Sequence, residues 1–165
     1  MDAQIPIVDE HDQVITHIPR KDVTANDIFR ASGLWLENSK DEVLIAQRKL
    51  TKPNDPGLWG PAASGTVEKG ETYESNVIKE AEEELGLTRI QPVFVDKLFQ
   101  ASPRKQFCAV FKVVCEYPAE RFVIQEDEVE QIRWIAKAQL KQEFQENPKL
   151  FVPSMHAFIA LFITR

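Results

Sequence analysis

The 165-residue sequence has no apolar run that approaches the roughly 18 residues of a membrane span. Its first residues, "MDAQIPIVDEHD", also lack the cationic segment and apolar core of a secretory signal. The 20 basic residues are outnumbered by 26 acidic ones, giving a net charge of −6, and no basic patch is large enough for a nucleic acid backbone. These absences predict a cytoplasmic protein that binds neither a membrane nor a nucleic acid polymer.

Cysteine is scarce, and repeats and low-complexity linkers are absent. Cys108 and Cys115 are the only cysteines, and they lie at odd spacing in one strand-like run. Their side chains would leave opposite faces of that strand and could not pair within it, so we expect two free thiols. A chain of this length suits one compact domain, which we expect to span residues 1–165.

β-branched and aromatic residues predict strands through much of the chain. The N-terminal third predicts two short strands around a polar turn at residues 9–13, and then a hairpin joined at residues 38–41. The stretch "TKPNDPGLWGPA" has the composition of a loop, and "ASGTV" follows it as a short strand. Further strands are expected in "VFVDKLFQ", "KQFCAVFKVVCEY" and "EVEQIRWI", with helices near residues 137–145 and 154–163. This order predicts an α/β or α+β layered domain.

One further helix has both of its ends marked in the sequence. Thr72 is a suitable N-cap, and Gly86 is the expected C-terminal stop. Between them Val77, Ala81 and Leu85 recur every four residues, as an amphipathic helix requires.

The end of this helix, "KEAEEELG", is crowded with glutamates. Glu80, Glu83 and Glu84 stand at i, i+3 and i+4 and share one face, whereas Glu82 points elsewhere. Like charges at these spacings destabilise a helix by roughly 0.2 to 0.5 kcal/mol per pair. Because this cost is small, a solvated acidic face would explain the glutamates as well as a metal site would.

The residues before these glutamates favour the metal site. Within "GTVEKGETYESNVIKEAEEELGL" fixed offsets separate Gly65, Glu71, Lys79, Glu80, Glu83, Glu84, Gly86 and Leu87. The segment resembles the Nudix box, in which Gly, five residues, Glu, seven residues and Arg-Glu precede an aliphatic, any residue, Glu-Glu, any residue, Gly and an aliphatic. With roughly 7% usage of each residue type at the six fixed Gly and Glu positions, a chance match is on the order of 10⁻⁷ per starting point. Lys79 departs from the pattern, because one ammonium cannot reproduce the bidentate fork of an arginine, although it can pair with Glu71 or a catalytic carboxylate.

The resemblance implies a Nudix fold, an α/β/α sandwich with a mixed central sheet, and hydrolysis of a diphosphate linkage with Mg²⁺ or Mn²⁺. Such cations prefer oxygen ligands and keep several waters, which suits carboxylates combined with substrate phosphates. The resemblance assigns Glu80, Glu83 and Glu84 to the metal and to catalysis, with Gly65 giving backbone room beside them. Glu71 is expected to orient this set from outside it.

A second acidic segment, "QEDEVEQIRW", precedes a predicted strand. Nudix enzymes often place another metal ligand or a general base here, and Glu128 is the candidate, followed by Glu126. A solvated, charge-rich loop explains the same residues equally well.

The longer stretch "VLIAQRKLTKPNDPGLWGPAASGTVEKGE" is similar to the isopentenyl-diphosphate isomerase-like branch of the Nudix superfamily, and that similarity runs from about residue 3 to residue 145. By this resemblance Arg48 and Lys52 meet the diphosphate, which their charge suits. Arg104 and Lys105 are further basic candidates. Trp59, in the loop, either stacks on the substrate or packs.

Isomerases of this branch require a catalytic cysteine and a histidine-containing metal site that a Glu-x-Glu segment also serves. The three histidines, His11, His17 and His156, are scattered and show no ligand spacing. Ser64 stands at the place of that cysteine, and Arg104 and Gln106 stand at the two glutamates. The sequence therefore predicts a hydrolase of a nucleoside diphosphate derivative or related organic diphosphate. Isomerase activity is the first alternative, and a non-catalytic nucleotide-binding domain, prompted by Lys79, is the second. A homodimer is the oligomer that base rates favour.

Overall fold

The computed structural model of the protein describes residues 2–164. Its strands are β1 (Gln4–Val8), β2 (Val14–Pro19), β3 (Ile28–Glu37), β4 (Glu42–Arg48), β5 (Trp59–Gly60), β6 (Ala63–Thr66), β7 (Val93–Gln100), β8 (Lys105–Val114) and β9 (Val129–Ala136). Its helices are α1 (Tyr73–Leu85), α2 (Lys137–Glu146) and α3 (Met155–Phe162), and short 3₁₀ helices lie at Arg20–Asp22, Ala119–Arg121 and Pro148–Leu150. Within this described part of the chain, no helix has the length and apolar character needed to cross a membrane.

The ends of α1 lie where the sequence predicted them. The Thr72 side chain accepts a hydrogen bond from Ser75 N at 3.0 Å, and Thr72 N donates to Ser75 Oγ at 2.9 Å. This reciprocal capping box satisfies two backbone donors at the start of the helix. Gly86 ends the helix with a φ of 66°, a left-handed conformation that glycine adopts without a Cβ penalty.

The predicted connection between β3 and β4 is confirmed, but the prediction that the two strands pair along their length as a hairpin is wrong. The two strands follow each other through residues 38–41, yet their only backbone pair is Glu37↔Val43. One edge of β3 pairs in parallel with β8 along its whole length, and its other edge pairs in turn with β1, β6 and β4. Strand β4 pairs instead with β9 and β5. The mixed sheet therefore opens between β3 and β4.

Helices cover both faces of this sheet, which confirms the α/β/α sandwich. Leu34 and Leu36 of β3 pack toward α1, whereas Trp35 between them packs toward α2 and α3. This alternation follows from the two-residue period of a strand. The Trp35 ring stacks on Phe162 with centroids 4.4 Å apart, so packing explains this tryptophan.

Both cysteines are free, as predicted. The strand that contains Cys108 ends at Val114, so Cys115 lies just beyond it. Burial raises the pKa of the Cys108 thiol to about 12, which keeps it protonated at neutral pH.

Candidate active site

A cleft of about 690 Å³ lies in the gap between β3 and β4. Small residues on both sides, Ala31 and Gly33 of β3 and Ala46 of β4, line it. Eight predicted site residues line the cleft: Arg48, Lys52, Gly65, Glu80, Glu83, Glu84, Arg104 and Glu128. The structure thus brings together acidic residues of the box helix and basic residues at the end of β4 and in the β4–β5 loop.

Gly65 and Glu80 are in close contact. A Cβ built on Gly65 would lie 2.5 Å from both Cδ and Oε1 of Glu80. Real Cβ atoms do not approach a neighbour this closely, so a side chain at this position of β6 would displace the carboxylate. The glycine of the box therefore lets the Glu80 carboxylate lie against β6.

Glu80 and Glu84 form a pair that is costly to ionise. Burial raises the pKa of Glu84 well above its usual range, and the nearby Glu80 carboxylate raises it further. Burial also raises the pKa of Glu80. A bound divalent cation would offset both effects, because it favours the charged form of each carboxylate. Glu83 lines the same cleft from an exposed position one turn along the helix from Glu80.

Glu71 and Lys79 lie outside the cleft lining and contact each other. Glu71 Oε1 forms an ion pair with Lys79 Nζ, and Glu71 Oε2 accepts from Glu68 N at 2.9 Å. Burial alone would raise the pKa of Glu71, but these donors hold it below its usual range. Lys79 Nζ also lies 4.0 Å from Glu80 Oε1. The Glu71–Lys79 pair thus lies next to Glu80, a predicted metal ligand.

Sequence reasoning missed Asn76, a fully buried residue of α1. Its Nδ2 donates to Thr66 O at 3.0 Å and to Glu71 Oε2 at 2.8 Å, while its Oδ1 accepts from the hydroxyl of Ser32. The amide therefore connects β3 and β6 to Glu71. A polar residue three positions after Tyr73, on the apolar face of the helix, was the signal that could have found it.

Glu128 lines the cleft and forms an ion pair with Lys52. The loop before it is attached to the end of α1, because Gln125 N donates to Glu84 O at 3.1 Å. The charge of Glu128 also raises the pKa of Glu84, although less than burial and Glu80 do. Glu126, the second candidate, is exposed and does not line the cleft.

The basic side chains of the cleft differ in their partners. Arg20 contacts Glu68 at 3.2 Å, and Arg104 contacts Asp55 at 3.3 Å. Lys52 is paired with Glu128, as described above. Arg48 donates from Nε to Asn54 O at 3.0 Å and, within residues 2–164, has no carboxylate partner. Lys105 does not line the cleft.

Trp59 does not occupy the position that stacking on a substrate would require. Its ring lies under the Arg133 guanidinium, with Cζ 4.8 Å from the ring centroid, and packs against the α2–α3 side of the core. It is not among the residues that line the cleft. The packing explanation of this tryptophan is therefore favoured, because its half-buried ring, in β5, packs against the core.

The carboxylates fit a divalent cation that is completed by substrate and water. Across residues 2–164, no three His, Cys, Asp or Glu side chains converge closely enough to hold a metal by themselves. Mg²⁺, however, is usually held by one or two carboxylates together with waters and substrate phosphates. Glu80 and Glu84, with raised pKa values at the cleft, supply such a pair.

Comparisons with known proteins agree with this geometry. The family model described as "NUDIX domain" matches residues 28–158. An uncharacterised Nudix hydrolase of Pseudomonas aeruginosa is 32% identical over 130 residues, which are 78% of this chain and 75% of that protein. An isopentenyl-diphosphate Delta-isomerase of Escherichia coli is 30% identical over 132 residues, 76% of this chain and 71% of that one. The crystal structure of DR0079 from Deinococcus radiodurans matches with a TM-score of 0.83 and 20% identity, over 96% of this chain and 99% of that one.

The α/β/α sandwich carries a carboxylate-bearing helix at a cleft that also contains cationic side chains, an arrangement that suits an enzyme of phosphate chemistry. The family match covers most of the chain and includes the whole box. The chain belongs to the Nudix family, as a pyrophosphohydrolase that resembles its isopentenyl-diphosphate isomerase-like branch.

Proposed function

We propose that the protein hydrolyses a diphosphate linkage in a nucleoside diphosphate derivative or related organic diphosphate, with Mg²⁺ or Mn²⁺ as its cofactor. One observation carries the proposal: the Glu80 and Glu84 carboxylates and the Arg48 guanidinium line the same cleft. A diphosphate bound with a cation needs both kinds of group at once.

Each side chain has a distinct role in this proposal. Glu80, Glu83 and Glu84 hold the metal, which when bound polarises the phosphoryl oxygens and lowers the pKa of water. Arg48 binds the diphosphate, and its free guanidinium edge suits bidentate contact. Lys52 is proposed to exchange Glu128 for a phosphate oxygen, which leaves Glu128 as the proton acceptor for the attacking water.

Nothing in the cleft favours the isomerase alternative over hydrolysis. Ser64 lines the cleft where an isomerase would carry a cysteine, and Arg104 and Gln106 line it where glutamates would lie. Cys108 also lines the cleft, but burial raises its pKa to about 12. Product analysis by NMR separates rearrangement of isopentenyl diphosphate from release of phosphate.

Release of phosphate or pyrophosphate from a substrate panel is the direct test. The panel contains nucleoside di- and triphosphates, nucleotide sugars, dinucleotides, coenzyme A and isopentenyl diphosphate, each with Mg²⁺, Mn²⁺ or EDTA. We expect release that EDTA abolishes for one of these classes. Turnover that is insensitive to EDTA would contradict the metal-dependent mechanism.

Variants of the helix test the assigned roles. We expect Glu83→Gln and Glu84→Gln each to lower kcat by about a thousandfold, because each removes a charge that stabilises the transition state. Glu82→Gln is the matched control, since Glu82 is exposed on the same helix and does not line the cleft. Unchanged metal-dependent turnover in the first two variants would overturn the assignment.

Lys79→Arg tests the departure from the box. If the single ammonium limits catalysis, the arginine variant should raise kcat, because its fork can contact Glu71 and Glu80 together. Equal kcat in both proteins would show that lysine is sufficient.

A single domain over residues 1–165, a cytoplasmic location and a homodimer stay predictions of the sequence.

A further inference from the structure

The cleft continues from the carboxylates to two glutamines, Gln100 of β7 and Gln106 of β8. Strand register places them along the sheet: Gly65 pairs with Ser32 of β3, whereas Gln106 pairs with Phe29. These two levels are three residues apart on β3, or about 10 Å at the rise of a strand. A group attached to a diphosphate at the carboxylates is therefore within reach of this level.

The two glutamines fix each other. Gln106 Nε2 donates to Gln100 Oε1 at 3.2 Å, and Gln100 Nε2 donates to Ser102 O at 3.1 Å. These bonds use one N–H of each amide and one carbonyl oxygen. Within residues 2–164, Gln106 Oε1 and the second N–H of each amide have no hydrogen-bond partner in the protein. A donor and an acceptor in fixed orientation therefore line the cleft.

The same part of the cleft lacks an exposed aromatic face. Of the described residues, Phe29 and Phe158 are the aromatic ones that line it, and they are only 8% and 2% exposed. The Phe158 ring packs over Gly33, where a Cβ would lie 2.6 Å from Cζ. Within the cleft lining, neither ring therefore offers an open face to a nucleobase.

A second polar contact lies at the mouth of the cleft beside the glutamines. Arg104, in the turn between β7 and β8, contacts Asp55 of the β4–β5 loop at 3.3 Å. Both residues line the cleft, and each is half-buried. The group that enters here therefore meets amide, guanidinium and carboxylate side chains.

We propose that Gln100 and Gln106, together the amide subsite, bind a polyhydroxylated group, such as a sugar, attached to the diphosphate. A hydroxyl donates and accepts at once, which matches the free N–H and oxygen of a fixed amide. Gln106 contacts the group, and Gln100 is the positioning residue that orients the Gln106 amide. The inference rests on the proposed function, because it takes the diphosphate to be held at the carboxylates and Arg48.

Two base-free probes of similar size test the subsite: glucose 1-diphosphate and cyclohexyl diphosphate. They differ in the hydroxyl groups of the ring, so the nucleoside does not contribute. With Mg²⁺ we expect the wild-type protein to give a higher kcat/KM for the sugar diphosphate. Gln106→Leu keeps a similar volume but removes the hydrogen bonds, and should lower that kcat/KM by roughly tenfold, the value of one hydrogen bond. The kcat/KM for cyclohexyl diphosphate should not fall in this variant, because this probe has no ring hydroxyls to lose hydrogen bonds.

Controls separate selectivity from folding. Gln91→Leu replaces an exposed glutamine outside the cleft and should change neither kcat/KM. Thermal unfolding of each variant shows whether the fold is retained. Equal loss for both probes, or no loss for either, would overturn the amide subsite.

Calorimetric binding of the same probes distinguishes this inference from the proposed function. Binding of glucose 1-diphosphate that weakens in Gln106→Leu supports the subsite even if neither probe is hydrolysed. Absence of hydrolysis would then count against the proposed reaction alone. Glucose 1-diphosphate that binds wild type and Gln106→Leu equally would overturn the subsite, whether or not turnover occurs.

Discussion

The two walls of the cleft are built in different ways. The helix wall, which carries Glu80, Glu83 and Glu84, comes from one continuous segment between β6 and the end of α1. The strand wall is assembled from β3, β4, the loop after β4, the β7–β8 turn and the loop before β9. The helix wall therefore corresponds to a local sequence motif, whereas the strand wall forms only when segments that are distant in the sequence come into contact.

Because of this difference, we expect the two walls to tolerate amino-acid substitutions to different degrees. The helix wall is closely packed, because the Glu80 carboxylate lies in the space that a Cβ at Gly65 would fill and the Asn76 amide makes three hydrogen bonds. The strand wall contains exposed or half-buried side chains whose partners are single ion pairs or single backbone carbonyls. We therefore expect the largest effects on the helix wall and smaller, more selective ones on the strand wall.

The strongest test of the helix wall is Gly65→Ala. The added Cβ would lie 2.5 Å from the Glu80 carboxylate, so the carboxylate must move. A displacement of this kind should lower kcat by about a hundredfold. Turnover and Mn²⁺ affinity, measured by electron paramagnetic resonance, check the result.

A double-mutant cycle makes this test specific. Glu80→Asp shortens the side chain and relieves the contact, so adding Gly65→Ala to it should cost much less than in the wild type. Purely additive effects on kcat would show that the close contact of β6 with Glu80 is not what the glycine provides.

The strand wall depends on the point from which β3 and β4 diverge, and Glu37 anchors that point. Glu37 contacts Lys112 of β8 and Lys137 of α2 at 2.7 Å each, and Trp35 Nε1 donates to it at 2.9 Å. Burial alone would raise the pKa of Glu37, but these three donors outweigh it and lower the pKa. Glu37→Gln should reduce the free energy of unfolding at pH 7 by about 2 kcal/mol.

The sign of the pH dependence follows from the lowered pKa. The contribution of Glu37 is present above the pKa of the unfolded chain and is lost as the pH falls through the folded value. Unfolding curves of wild type and Glu37→Gln should thus differ at pH 7 and converge in acid. Asp41→Asn is the control, because its exposed carboxylate contacts the same Lys137 at 3.3 Å and should contribute within about 0.5 kcal/mol. A difference that persists in acid would contradict the ion-pair explanation.

The smallest effect is expected for Trp59. Because its ring lies under Arg133 and outside the cleft, Trp59→Phe should leave kcat and KM unchanged. Loss of the contact with the guanidinium should reduce stability by about 1 kcal/mol. A rise in KM without loss of stability would support the hypothesis that Trp59 stacks on the substrate. Part of the substrate would then bind outside the cleft, against Trp59.

Local sequence signals predicted the elements well and their partners poorly. The N-cap at Thr72 and the stop at Gly86 were predicted from the sequence because capping depends on a few neighbouring residues. The β3–β4 hairpin was predicted as a ladder because adjacent strands usually pair, yet β3 uses its edges for β8, β6 and β1. Asn76 was missed because its three partners lie on β3, on β6 and at Glu71.

The sequence by itself determined the helix wall. Helical periodicity and the fixed offsets of the box are local, so they set which carboxylates share a face before any tertiary contact forms. The shape and lining of the cleft opposite these carboxylates were determined only by the tertiary structure. Strand pairing between distant segments sets three of its features: β3 and β4 diverge, Trp59 lies outside the cleft, and Gln106 lies beside Gln100. Such pairing is fixed by the packing of the whole sheet, because residues on one strand do not specify which strand lies beside them.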